Sequence, residues 1–396
     1  SAEDFRIGAG SEAQAGTLDL SSSMLTATAS GGVAITAQET IRIAGNGESY
    51  FQAGTLLDLS AAEDVRIGAG TGVQAGTLDL SSSTLTAAAT GSVVVSAGEI
   101  TRVLSFGQTA IEAGNSLTLA SVSSNHAVDS LARINIVSGS ETQHGALNLS
   151  SSTLTVAASD IVQIAATDRA QVQSTGDTLL NAGASLNLSS LKDVHMIAGS
   201  DGQYGTMNLS SSILRAAASG DFEVTASHVM QIRSVNGTTI MTETDLALSS
   251  VLTTSVKSVR DVQVGAGSKT QAGTLDLSSS TLTAAASSII AITAQETTRI
   301  AGKGESSVQA GTLLTLSAAE DVRIGAGSEA QAGTLDLSSS TLTAASSGTV
   351  AITADEATSI STKGASSVGA GTLLDLSAAE DVRIGAGSEA QAGTLD

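Results

Sequence analysis

The feature that most constrains this chain is a glycine that keeps returning. It precedes an (L/M)-(D/N)-L motif at Gly16, Gly76, Gly145, Gly205, Gly273 and Gly333, and the Leu-Asp that opens the motif at Gly393, at intervals of 60, 69, 60, 68, 60 and 60 residues. A period of that size marks a repeat architecture rather than a globular domain, because each unit buries its apolar face only against its neighbours.

Inside the unit runs a finer period of eight. The pairs Leu342/Ala344, Val350/Ile352, Thr358/Ile360, Ser366/Val368, Leu374/Leu376, Val382/Ile384 and Ala390/Ala392 follow one another at octad spacing, with Leu335/Leu337 set in just ahead. Two inward-type residues flanking one outward residue is the period-2 pattern of a short strand with one buried face. The central residue is often charged, as at Arg42, Arg66, Asp336, Asp375 and Arg383. Gly, Ser, Ala, Asn and Asp fill the intervals, which is turn chemistry. The rule holds from the start of the chain, at Phe5/Ile7, Ala13/Ala15, Leu18/Leu20, Leu25/Ala27, Val33/Ile35, Ile41/Ile43, Ser49/Phe51 and Leu57/Leu59. The expected fold is all-β: an elongated β-helix or β-solenoid of octad strands. Residues 1–396 read as one continuous array, cut from a longer chain.

Two intervals are longer than 60, and they bear on architecture. Near 120–130 an additional pair, His126/Val128, fits between Leu117/Leu119 and Ile134/Ile136; near 250–258 the pair Thr254/Val256 adds one complete octad. If a unit holds eight strands, a three-sided single-chain solenoid would place near-identical units on different faces, and each insertion would rotate all later faces. A two-sheet solenoid would be flipped by one extra strand. An intertwined β-prism of three chains accepts any whole number of octads, since its faces are equivalent. The spacing therefore favours the three-chain prism. Under this reading Val350, Ile352, Leu374, Leu376, Val382 and Ile384 form part of the axial core.

Composition agrees with a narrow core. Aromatic residues are 2% of the 396, and there is no Trp, Cys or Pro. No disulfide framework or thiolate metal site is available, and a chain without Pro suits backbone N–H groups committed to ladders. The net charge of −21 makes nucleic acid and anionic membrane poor partners and suits a solvated, self-repelling surface. No apolar run approaches the ~18 residues of a membrane span.

Four N-x-S/T sequons begin at Asn148, Asn187, Asn208 and Asn236. Three put Asn at the outward centre of a strand, where a glycan could be carried on a secretory route. His126 and His144 fall at inward positions, where three-fold symmetry would gather rings of imidazoles able to hold an ion; packed histidines are the plainer alternative. His195 is expected to face outward and His228 to lie in a turn. The repeated acids Glu320/Asp321, Asp355/Glu356 and Glu380/Asp381 lack the nonapeptide of calcium-binding β-rolls. No nucleophile motif, phosphate loop or convergent His–carboxylate cluster is present, so the expectation is a non-enzyme without cofactor or metal.

Short V-x-I and L-x-L strands every eight residues, with Gly/Ala/Ser turns, resemble the octad needles of contractile-phage and type VI secretion spikes and the ectodomains of sarcoglycans. Strings such as TLDLSSSTLTAAAS resemble, more weakly, filamentous-haemagglutinin adhesins. The first two resemblances imply intertwined β-helical trimers. The sequons and Ser/Ala richness point to a structural subunit of an extracellular filament or cell-surface appendage, such as the shaft of a flagellar hair (mastigoneme). Its partners would be copies of itself or homologous repeat chains, with other filament proteins. The alternative is the stalk of an adhesin, host-attachment fibre or puncturing spike carrying a tip domain elsewhere.

Overall fold

In the computed structural model the chain forms two compact units, Ser1–Gln203 and Tyr204–Asp396. Residues 1–4, 10–16, 23–24, 30–32, 46–48, 54–55, 62–63, 70–76, 83, 90–91, 98–99, 106–107, 114–115, 122–124, 131–132, 139–145, 152, 159, 175–176, 200–205, 251–252, 267–273, 280, 296, 303–305, 311, 319, 327–333, 364, 379, 389–390 and 393–396 lie outside the described residues.

Each unit is a parallel β-solenoid. Its strands are mostly five or six residues long, and burial alternates along them, as in Val33–Ala37 and Asp64–Ala69. Within each unit the ladder strands pair in parallel with the strand three places further on, the long strands Thr206–Ala218 and Val229–Thr242 counting as two each because each pairs as two successive ladder segments, so three strands make one turn and the unit has three faces. In the first unit one face begins Phe5–Ala9, Val33–Ala37, Leu56–Ala61; the second begins Leu18–Ser22, Thr40–Gly45, Asp64–Ala69; the third begins Leu25–Ala29, Ser49–Ala53, Thr77–Ser82. The register sets inward residue upon inward residue: Val33 on Leu57 and Ile35 on Leu59, all four with no exposed surface. Each column of Leu, Ile and Val thus shields itself from water along the stack, which is where the hydrophobic stabilisation lies.

One chain supplies all three faces, so the three-chain arrangement favoured by the spacing is not needed to close the prism. In the single-chain winding like units do land on different faces. Among the described residues a 60-residue unit contributes seven ladder strands rather than eight, and a unit with an insertion contributes eight. Seven strands advance the chain two turns and one face; eight advance it two turns and two faces; together they complete five turns. Leu18 and Leu147 therefore share a ladder, through Ile41, Val65, Val93 and Leu117, while Leu78 between them lies on another. The second unit repeats this: Met207 and Leu335 share a ladder and Leu275 does not. The faces are interchangeable because each asks only for an inward pair at i and i+2.

The insertions are strands, not surface loops. Asn125–Ser130 lies between Ile100–Ser105 and Thr153–Ala158 in one ladder, and Thr253–Ser258 lies between residues 229–234 of Val229–Thr242 and Thr281–Ala286 in another. The expected pair Ala13/Ala15 lies outside the described residues. At Gln391–Ala392 the corresponding segment pairs antiparallel with Gly387–Ser388, folding back instead of joining a ladder.

Corners follow a simple chemistry. The last inward residue of one strand and the first of the next, four apart, are both hydroxyl residues at several corners and bond each other: Ser174 with Thr178 (2.8 Å), Ser234 with Thr238 (2.9 Å), and Thr362 with Ser366 (2.8 Å). These side chains are buried, so the mutual bond removes a desolvation penalty of about 1–3 kcal/mol for each group otherwise left unsatisfied. Other corners need the smallest residue. The Gly348 N–H donates to the Glu320 carbonyl at 2.7 Å, and a Cβ at Gly348 would stand 2.4 Å from that oxygen.

Candidate functional surfaces

With the inward columns committed to the core, chemistry is left to the outward rows and the corners. The repeated acid of the E-D-V-R-I segment has a structural task there. The Asp321 Oδ1 accepts the backbone N–H of Thr349, one turn further on, at 2.9 Å, while its Oδ2 accepts from Arg323 Nη2 at 2.8 Å. Asp64 does the same toward Ser92 (2.8 Å) and Arg66 (3.0 Å). Asp261 takes the N–H of Ile289 at 3.2 Å and Asp245 that of Thr274 at 2.8 Å. The bond from Thr349, more than the one from Arg323, holds the Asp321 carboxyl below its ordinary range, against a smaller opposing effect of burial. In the sequence this acid is only a recurring charge. The i, i+2 Asp–Arg spacing was visible, but the acceptor role depends on a corner 28 residues away.

Asp276 behaves oppositely. It occupies the outward centre of Leu275–Ser279 in register with Arg299, and half-burial raises its pKa although Arg299 pulls it down. Lys192–Asp168 (2.5 Å) and Arg169–Asp193 (3.2 Å) are exposed ion pairs between neighbouring turns, each worth little in solvent.

The candidate residues fall as follows. Asn148 is exposed at the centre of Ala146–Ser151. Asn187 is half-buried and accepts from Ser185 Oγ at 3.1 Å. Asn208 is half-buried with its Oδ1 lacking a partner. Asn236 is an exposed corner residue whose Nδ2 donates to Ser212 Oγ at 2.7 Å, while the Thr238 hydroxyl of its sequon is spent on Ser234 inside. His144 lies outside the described residues. The backbone of His126 stacks between Thr101 and Leu154. His195 takes the outward position between buried Val194 and Met196, and His228 lies in a corner. Val350 and Ile352 are fully buried. Leu374, Val382 and Ile384 are 45%, 42% and 37% exposed and Leu376 half-buried, because their strands are stacked from one side only among the described residues.

Among the described residues no group of three His, Cys, Asp or Glu is placed to hold a metal, and no helix is long and apolar enough to cross a membrane. The chain matches no family model, and no curated protein or solved structure matches it.

Proposed function

We propose that this chain is the rigid shaft of an extracellular filament or cell-surface appendage, of the flagellar-hair kind, and that its role is mechanical rather than enzymatic. The observation that carries this reading is the in-register parallel ladder on all three faces of each unit. Bending such a solenoid stretches a column of backbone hydrogen bonds on one face and compresses inward side chains on the others, so stiffness is a property of the whole cross-section. The acidic outward rows keep neighbouring shafts apart by self-repulsion. The sequons, two of them exposed, suit a secreted glycoprotein.

The partners under this reading are copies of the chain or homologous repeat chains, and other filament proteins, with nucleic acid disfavoured by the charge. Three chains could also intertwine, since octads on equivalent faces allow it. Scanning-transmission mass-per-length measurement on the native filament, with antibody labelling of the repeat, tests both levels. Label spaced along a filament supports the shaft; label confined to the base of a tipped appendage overturns it in favour of a stalk. One chain per cross-section identifies the single-chain winding as the assembled form, and three chains the intertwined prism.

A further inference from the structure

The repeat normally offsets stacked cations with carboxylates. Arg42 and Arg66 lie in register on adjacent turns, with Asp19 on the same row and Asp64 in the Arg66 strand. Arg299 and Arg323 lie likewise, with Asp276 on the row and Asp321 in the strand. One pair breaks the pattern. Arg233 and Lys257 are in register on adjacent turns of the second unit, and both are exposed. Their row continues to Ser210 on one side and Ala285 on the other. The outward residues two places before them are Gln231 and Ser255, and those two places after are Val235 and Val259. Among the described residues neither cation has a hydrogen-bond or ion-pair partner. Like charges directly opposite across a ladder are destabilising, so this chain of net charge −21 carries an uncompensated cationic pair.

That pair heads a groove of about 640 Å³. Beyond Lys257 the row steps down to the methyl of Ala285, which makes the hollow, then rises to Gln309 and Ser338. Val259 and Ser287 form the corner side, where the Ser287 hydroxyl donates to the Val259 carbonyl. The carboxylate at the far end, Asp336, is taken up by Gln309 Nε2 at 3.2 Å and lies away from the cations. Adjacent rungs are ~4.8 Å apart, so one oxyanion can meet a guanidinium and an ammonium together.

We infer that this groove binds an oxyanion group of an acidic polysaccharide, clasped between Arg233 and Lys257. The volume fits a small ligand or one segment of a linear polymer. Besides the two cations the lining consists of small serines and alanines, Gln309 and Val259, with no aromatic or large aliphatic pocket to seat the anchoring side chain of a protein partner. Hydroxyl and amide groups beside paired cations suit a sulfated or uronic sugar. The site does not depend on the chain being a shaft, and its test does not require filaments.

Calorimetric titration of the chain at low salt with heparin oligosaccharide tests the inference, against Arg233→Gln/Lys257→Gln and, as a control of equal charge, Arg299→Gln/Arg323→Gln. The expected result is that the groove variant binds about tenfold or more weakly, while the control stays within about twofold and Arg233→Lys/Lys257→Arg restores binding. Circular dichroism of each variant confirms the β fold. Equal losses in both glutamine variants would reduce the effect to bulk charge and overturn the site. Saturation by inorganic sulfate at the same concentration would reassign the occupant to a free ion, and equally tight binding of polyglutamate would reassign it to an acidic protein; either overturns the polysaccharide.

Discussion

The Asp321 carboxylate accepts the Thr349 backbone N–H at 2.9 Å across one full turn, so a side chain of one corner fixes the entry of the strand stacked on it. The same acid orients Arg323 at 2.8 Å. Asp64 and Asp261 repeat the clasp at other turns.

Removing the acceptor should loosen that corner. Asp321→Ala leaves the Thr349 N–H without its bond and is expected to cost about 1 kcal/mol, whereas Asp321→Asn keeps an acceptor oxygen and costs less. Amide hydrogen exchange reads this locally: Thr349 should exchange faster in the alanine variant than in the asparagine variant. Equal exchange in both would remove the clasp from the account.

The clasp also sets a pH dependence. The folded-state pKa of Asp321 is lowered, so its contribution is fully present above the ordinary carboxylate range and is lost as pH falls through the depressed value. Protection of the Thr349 amide is expected to hold at neutral pH and to fall on acidification, after correction for intrinsic exchange, and Asp321→Asn should flatten that fall.

Asp276 runs the other way. Burial raises its pKa, so the charged form is disfavoured by folding, and the penalty applies above the folded-state pKa. Asp276→Asn, the residue found at the same motif position at Asn148 and Asn208, should raise the melting temperature at pH 7. The gain should vanish at a pH low enough to protonate Asp276 in both states. No gain at neutral pH would mean that attraction to Arg299 outweighs desolvation.

The core makes a steeper demand. Ile352 has no exposed surface, and Ile352→Ala is expected to cost about 2–5 kcal/mol in denaturant unfolding. The neighbouring outward change Ala351→Ser should lie within about 0.5 kcal/mol. Similar costs at both positions would contradict the alternation of the Thr349–Ala354 strand.

The phase of the insertion can be read by cross-linking, helped by the absence of cysteine. Arg233 faces Lys257; deleting residues 251–258 would bring the next strand under it and set Gly265 opposite Arg233. Adjacent parallel strands bring Cα atoms within disulfide range. A disulfide between Arg233→Cys and Gly265→Cys is expected in the deletion variant and not in the full chain. Its absence from a folded deletion variant would mean that the faces are not interchangeable.

The sequence alone determined where the strands lie and which residues point inward. Alternation is a local property: Val350 and Ile352 flank Ala351, and an i, i+2 apolar pair can be satisfied only with one face dry. It did not determine which strand pairs with which. Each octad presents the same inward pair, and ladder bonds are made by backbone groups that carry no address. Only the winding of the chain decided that three strands close a turn, that Leu18 meets Leu147's ladder and not Leu78's, and that Asp321 reaches Thr349. The eight pairs per unit that the spacing suggests exceed the seven described strands by pairs such as Ala13/Ala15, which lie outside the described residues.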